Sequence, residues 1–182
     1  MSVPPYPSGG PYPSGGPYPY VGPEDIRRAV PAGAEGYAVR DLAGLTAFAA
    51  QDEEPYTYVV GLDGWLRLAP RRSEHVACAG GGAVLGAGEI SFSRTGRGWE
   101  VHEVSNQSTG YCPDPDCWPA VAAALDRAGV ARPDGFTHAL VFRRCERCRE
   151  INVVREGVYV CVFCEEELPL LWNMAPRDPP GS

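Results

Sequence analysis

The chain has no lysine: all 16 of its basic residues are arginine. That excludes every chemistry needing an ε-amine, including a phosphate-loop lysine, a Schiff base and the lysine of a protein-kinase site. Arginine without lysine, beside abundant alanine, glycine and proline, fits a GC-rich bacterial genome. The chain lacks any run of 18 apolar residues, so no membrane-spanning helix is expected. The N-terminus lacks the charged-then-apolar pattern of an export signal. An excess of positive charge is also missing: 23 acidic residues against 16 basic ones give a net charge of −7. The resulting pI of about 5.0 argues against a nonspecific nucleic-acid binder.

What the chain does have is seven cysteines, the last four spaced Cys145-x-x-Cys148, twelve residues, Cys161-x-x-Cys164. Each Cys-x-x-Cys turn offers two thiolates to one ion, and Zn²⁺ takes four soft ligands in a tetrahedron. Between the pairs, Ile151–Val154 and Val158–Val160 are apolar and β-branched, separated by Arg155-Glu156-Gly157. The spacing predicts a hairpin that brings four sulfurs within about 2.3 Å of one Zn²⁺. The bland alternative, two buried cysteine pairs in a reduced core, does not explain the shared spacing. A Cys145, Cys148, Cys161, Cys164 site is coordinatively closed, so it folds the chain instead of activating water. Residues 142–172 resemble the zinc-ribbon modules, which serve in nucleic-acid binding, in protein contacts or as plain folding staples. Thiols kept for metal, without export, point to a reducing cytoplasm.

Composition divides the remainder. Residues 1–23 repeat Pro-Tyr-Pro-Ser-Gly-Gly, with Tyr6, Tyr12 and Tyr18 recurring every six residues. That predicts a disordered tail with short polyproline character, whose tyrosines either contact a partner or do nothing. Residues 24–141 read as an α+β core, 142–175 as a zinc ribbon packed on it, and 176–182 as a flexible terminus. Within the core, helices are expected over Asp25–Val30, Asp41–Ala50 and Pro119–Ala128, the last closed by Gly129. Strands are expected at Tyr56–Val60, Trp65–Leu68, Val84–Phe92, Trp99–Val104 and His138–Phe142. The fold class is α+β: a mainly antiparallel sheet, one principal packed helix and the ribbon at its edge. The apolar run Leu168–Trp172 either folds back on the ribbon or sheet, or forms an exposed partner-binding patch.

Ala87-Gly88-Glu89, with His75 upstream and Asn106, Ser108, Tyr111 and Pro113 downstream, carries a second resemblance. Over Thr57–Val130 the chain is similar to a module of bacterial toxin C-termini and plant IQ-motif calmodulin-binding proteins. Gly110 stands where that module has histidine, and no IQ segment is visible. The resemblance implies a cleft built from His75, Glu89, Asn106 and Tyr111, in a divergent toxin-type enzyme acting on a nucleotide or nucleic acid. A zinc deaminase offers a related order of hairpin, helix, strand and Cys-x-x-Cys, with Cys117 as a third ligand. It needs His or Cys two residues before a catalytic glutamate, and Pro119 occupies that place.

Cys112 and Cys117, with His102 or His138, are either a second metal or nucleophile site or ordinary thiols in a proline-rich loop. Glycines 80–82, 86 and 88 do not form a dinucleotide fingerprint, because Leu85 occupies the decisive place. Arg143, Arg144, Arg147 and Arg149 cluster on the first knuckle, but Glu146 and Glu150 alternate with them. A salt-bridged rim is favoured over a nucleic-acid interface. The function expected is a zinc-binding protein-binding or adaptor module whose partner is another protein, with the toxin-type or deaminase-like enzyme as the alternative.

Overall fold

The computed structural model describes residues 16–49 and 54–174. Five antiparallel strands form the main sheet, in the order β1-β3-β2-β4-β5. They are β1 (Tyr37–Ala38), β2 (Tyr56–Val60), β3 (Leu66–Ala69), β4 (Gly86–Thr95) and β5 (Gly98–Val104). All five residues of β2 are buried, which suits a central strand covered on both faces. Helix α1 (Glu24–Arg28) and helix α2 (Leu42–Ala49) flank the early strands; α3 (His75–Cys78) follows β3. Asp63 sets the β2–β3 turn by accepting from the Trp65 N–H and, through both oxygens, from Arg67 at 2.8 Å.

The principal helix is α4 (Trp118–Ala128). Proline lies in its first turn, and Gly129 ends it in a left-handed conformation at φ 79°. Its buried face of Val121, Ala124, Leu125 and Ala128 joins Tyr58, Leu66, Ile90 and Val104 in the core. Gly86 allows α4 to approach the sheet closely, since a Cβ there would meet Val121 at 2.8 Å. The fold is α+β, as composition and patterning predict.

The expected ribbon topology needs correction. The strand placed at His138–Phe142 is β6 (Val141–Arg144), shifted toward the cysteines, with His138 itself exposed. β6 pairs with β7 (Ile151–Val154) in a separate two-stranded sheet, so the first knuckle is the hairpin's own turn. Val158–Val160 forms only isolated bridges, Arg155 with Val158 and Val160 with Glu167. The turn between them does form: Glu156 and Gly157 both have positive φ, 52° and 71°.

The tail boundary also moves. Residues 16–23 lie on the core: Tyr18 bridges Val84, and Tyr20 packs edge-on against Tyr111. Residues 1–15 and the expected flexible terminus, 176–182, fall outside the described residues. The run Leu168–Trp172 divides. Leu168 is buried and the Trp172 indole N–H donates to the Cys112 carbonyl at 2.8 Å, while Leu170 and Leu171 face solvent.

Candidate metal centre

The two knuckles share one backbone shape. In the first, the Cys145 N–H donates to the Glu150 carbonyl and the Arg149 N–H donates back to Cys145. In the second, Cys161 pairs with Glu166 and Glu165 donates back to Cys161 in the same way. The residue after each second cysteine, Arg149 or Glu165, is left-handed at φ 69° and 61°. The motif is therefore Cys-x-x-Cys-x-Glu twice over, and the repeat aims two pairs of sulfurs at one point.

All four Sγ atoms lie within 4.8 Å of one another. Cys145 and Cys164 approach to 3.6 Å and Cys148 and Cys161 to 3.5 Å. A tetrahedron of thiolates at about 2.3 Å from a zinc ion separates its sulfurs by about 3.8 Å, so the cluster fits that ion. The four cysteines are thus positioned to bind a metal ion and are compatible with zinc. The Cys148 N–H points at Cys145 Sγ from 3.5 Å and holds that thiol below its ordinary range. Burial works against ionising Cys161, yet the Phe163 N–H and the Asn152 amide outweigh it and bring the thiol down to about 6.

Asn152 was not singled out by sequence, although a lone amide inside the β-branched run Ile151–Val154 was the available signal. It is buried and spans both knuckles. Its Nδ2 donates to the Glu150 carbonyl at 3.1 Å and reaches Cys161 Sγ at 3.4 Å; its Oδ1 accepts from the Val162 N–H at 2.9 Å.

The basic cluster is redistributed. Arg143 is buried, ion-paired to Asp114 at 2.9 Å, and donates to the carbonyls of Phe142, Pro169 and Leu170. It ties the ribbon to the core and to the C-terminal segment, and offers nothing to a phosphate. Arg147 pairs across the knuckles with Glu166 at 3.5 Å.

Of the four residues expected to line a cleft, three are engaged by backbone groups. His75 Nε2 donates to the Gly88 carbonyl at 2.9 Å, and burial lowers the pKa of its imidazole. Asn106 is buried: its Nδ2 donates to the carbonyls of Pro113 and Leu140 at 2.8 and 2.7 Å, and its Oδ1 accepts from the Leu140 N–H. The Tyr111 hydroxyl donates to the Gly82 carbonyl at 2.6 Å. The fourth, Glu89, lines a cleft of about 300 Å³ with Ser91, Glu103, Gln107 and His138. Among the described residues, the buried Ser91 Oγ has no hydrogen-bond partner.

Cys112 and Cys117 are buried thiols pushed up to about 12 by burial, which makes them poor nucleophiles. Among the described residues, the four terminal cysteines are the only group of three or more side chains placed to hold a metal. No described helix is long and apolar enough to cross a membrane. Comparison of the chain with family models, with curated proteins and with solved structures found no match.

Proposed function

We propose that the four thiols hold one Zn²⁺ in a closed structural site, and that the resulting ribbon presents an apolar surface to another protein. The observation that carries this reading is the convergence of four sulfurs, from two knuckles of one shape, within 4.8 Å. Bound there, zinc supplies folding energy on the order of 10–16 kcal/mol. With four protein ligands in place, no position is left for a reacting water.

The apolar surface comes from the chain around the second knuckle. Val162 and Phe163, between its cysteines, are 76% and 62% exposed, and Leu170 and Leu171 are 71% and 81% exposed. Such side chains are costly to leave in water when neighbours as close as Leu168 and Met174 are buried. The buried Arg143, the paired Arg147 and the net charge of −7 favour a protein partner over nucleic acid. A reducing cytoplasm is the compartment that keeps such thiols available to metal.

Native mass spectrometry tests the metal. One zinc per chain is expected, lost in Cys145→Ser and Cys161→Ser and retained in Cys112→Ser; two zincs, or none, would refute the assignment. The surface is tested by using the chain as bait with and without Val162→Ser, Phe163→Ser, Leu170→Ser and Leu171→Ser together. Capture that is unchanged while zinc is retained rejects the docking surface.

A further inference from the structure

Glu89 and Ser91 stand two residues apart on β4 and therefore share one face of the sheet. Glu103 joins that face because β5 carries a bulge. Ser91 lies opposite Glu103, but the next partner of Glu103's strand is Val101 opposite Phe92, which leaves His102 as the extra residue. Unbroken alternation would turn Glu103 to the same side as Val101, toward the core. With the bulge, Val101 and Val104 both enter the core and Glu103 stands across from Ser91. The Ser105 N–H donates to the Glu89 carbonyl at 3.0 Å, so Glu89 is the diagonal neighbour of Glu103. The Cβ atoms of such neighbours lie roughly 7 Å apart, a gap two glutamate side chains can close around one small cation.

Three groups on this face are left without a partner. Ser91 is only 6% exposed, yet its Oγ makes no hydrogen bond among the described residues. A buried hydroxyl in that state destabilises the fold and is uncommon. Neither Glu89 nor Glu103 enters an ion pair among the described residues. The chain, lacking lysine, has no ammonium side chain to offer them. All three residues line the cleft of about 300 Å³, together with the apolar Pro55 and Leu140.

We infer that this cleft binds a small aliphatic amine as its ammonium ion. An ammonium group has three donors and no acceptor, one donor for each of the Glu89 carboxylate, the Glu103 carboxylate and the Ser91 hydroxyl oxygen. Bonds of this kind, made to ionised groups, are the stronger ones. The methylene stem of the amine has Pro55 and Leu140 to lie against. The volume stands at the small end of the range for small-molecule sites, which suits a compact free amine. A metal ion fits less well. Among the described residues, only the four terminal cysteines form a group of three or more side chains placed to hold one. The site is built on the main sheet and does not depend on the ribbon.

Calorimetric titration of the full chain with n-butylammonium tests the site, and saturable binding of one amine per chain is expected. Butyltrimethylammonium keeps the charge without a donor, and 1-butanol keeps the stem without the charge. Both should bind at least about tenfold more weakly, the worth of a hydrogen bond to a charged group. Glu89→Gln and Glu103→Gln, at exposed side chains, should each weaken butylammonium binding by at least about tenfold. Ser91→Ala should weaken it as well, while raising the urea midpoint of the unliganded chain, because it removes an unpaired hydroxyl. The inference fails if butyltrimethylammonium binds as tightly as butylammonium, if either glutamine variant keeps the parent affinity, or if millimolar amine gives no saturation. It fails equally if Ser91→Ala lowers the midpoint, since the hydroxyl would then be bonded within the fold.

Discussion

The side-chain amide of Asn152 lies 3.4 Å from Sγ of Cys161, with the other end of the amide accepting from the Val162 N–H. One residue of β7 thus orients a ligand of the second knuckle and holds that knuckle's backbone, while its bond to the Glu150 carbonyl ties it to the first. Asn152→Ala removes both bonds and leaves the Val162 N–H unpaired. It should weaken zinc binding about 10- to 100-fold, as outer partners of metal ligands typically do. Chelator competition reads the change, and a retained stoichiometry of one zinc separates it from loss of a ligand. An unchanged affinity would reduce Asn152 to a packing residue.

Arg143 and Asp114 make a buried ion pair between the ribbon and the loop before α4. Removing either charge strands the other out of water. Arg143→Ala should cost about 3–5 kcal/mol in unfolding free energy. Arg143→Ala with Asp114→Ala should cost less than the two single changes added together. Strict additivity in denaturant titrations would show that the carbonyls of Phe142 and Leu170, and not the carboxylate, hold the guanidinium.

The parts legible in the sequence were those fixed by local chemistry. The apolar run Tyr56–Val60, the proline and glycine bounding α4, and the twin Cys-x-x-Cys spacing each have one physical reading. The rest depended on partners distant in the chain. The two residues of β1 and the single turn of α3 are too short for any period to register. Tyr18 sits in a composition that predicts disorder, and its backbone bonds to Val84 and ring contact with Trp172 override that preference. Ile151–Val154 is the strand its β-branched run predicts, but its partner is β6 and not Val158–Val160, because the knuckle itself closes the hairpin. Arg143 looked like a surface charge, and its burial follows from Asp114, which is 29 residues away.

Gly88 makes a prediction about backbone approach. A Cβ there would run into the Ser105 carbonyl and come within 3.0 Å of the Asn106 Cα. The same carbonyl accepts from the Tyr58 hydroxyl at 2.7 Å, so it has little freedom to move. Gly88→Ala should cost about 1–3 kcal/mol or more, as overpacking does. Gly96→Ala is the control, since nothing lies within 4 Å of its Cβ position. Equal unfolding midpoints for the two variants would mean that the β4 backbone yields.

His75 gives the chain a pH dependence whose sign can be worked out. Burial lowers its pKa from the ordinary 6.5, opposed by the Gly88 bond and by the negative charge of Glu89 and Glu74. The folded state therefore holds fewer protons on this imidazole than the unfolded state does. Its contribution is fully present above pH 6.5 and is lost as pH falls from there through the lower folded value. One proton limits the slope to about 1.4 kcal/mol per pH unit. Unfolding midpoints at pH 7.5 and 5.5 should fall more for the parent than for His75→Gln. Any metal lost on acidification weighs on both proteins alike. The variant should be the weaker of the two at pH 7.5, having lost the Gly88 bond, and the gap should narrow at pH 5.5. A gap that is constant, or that widens, would mean the half-buried ring takes up its proton as readily as a free one.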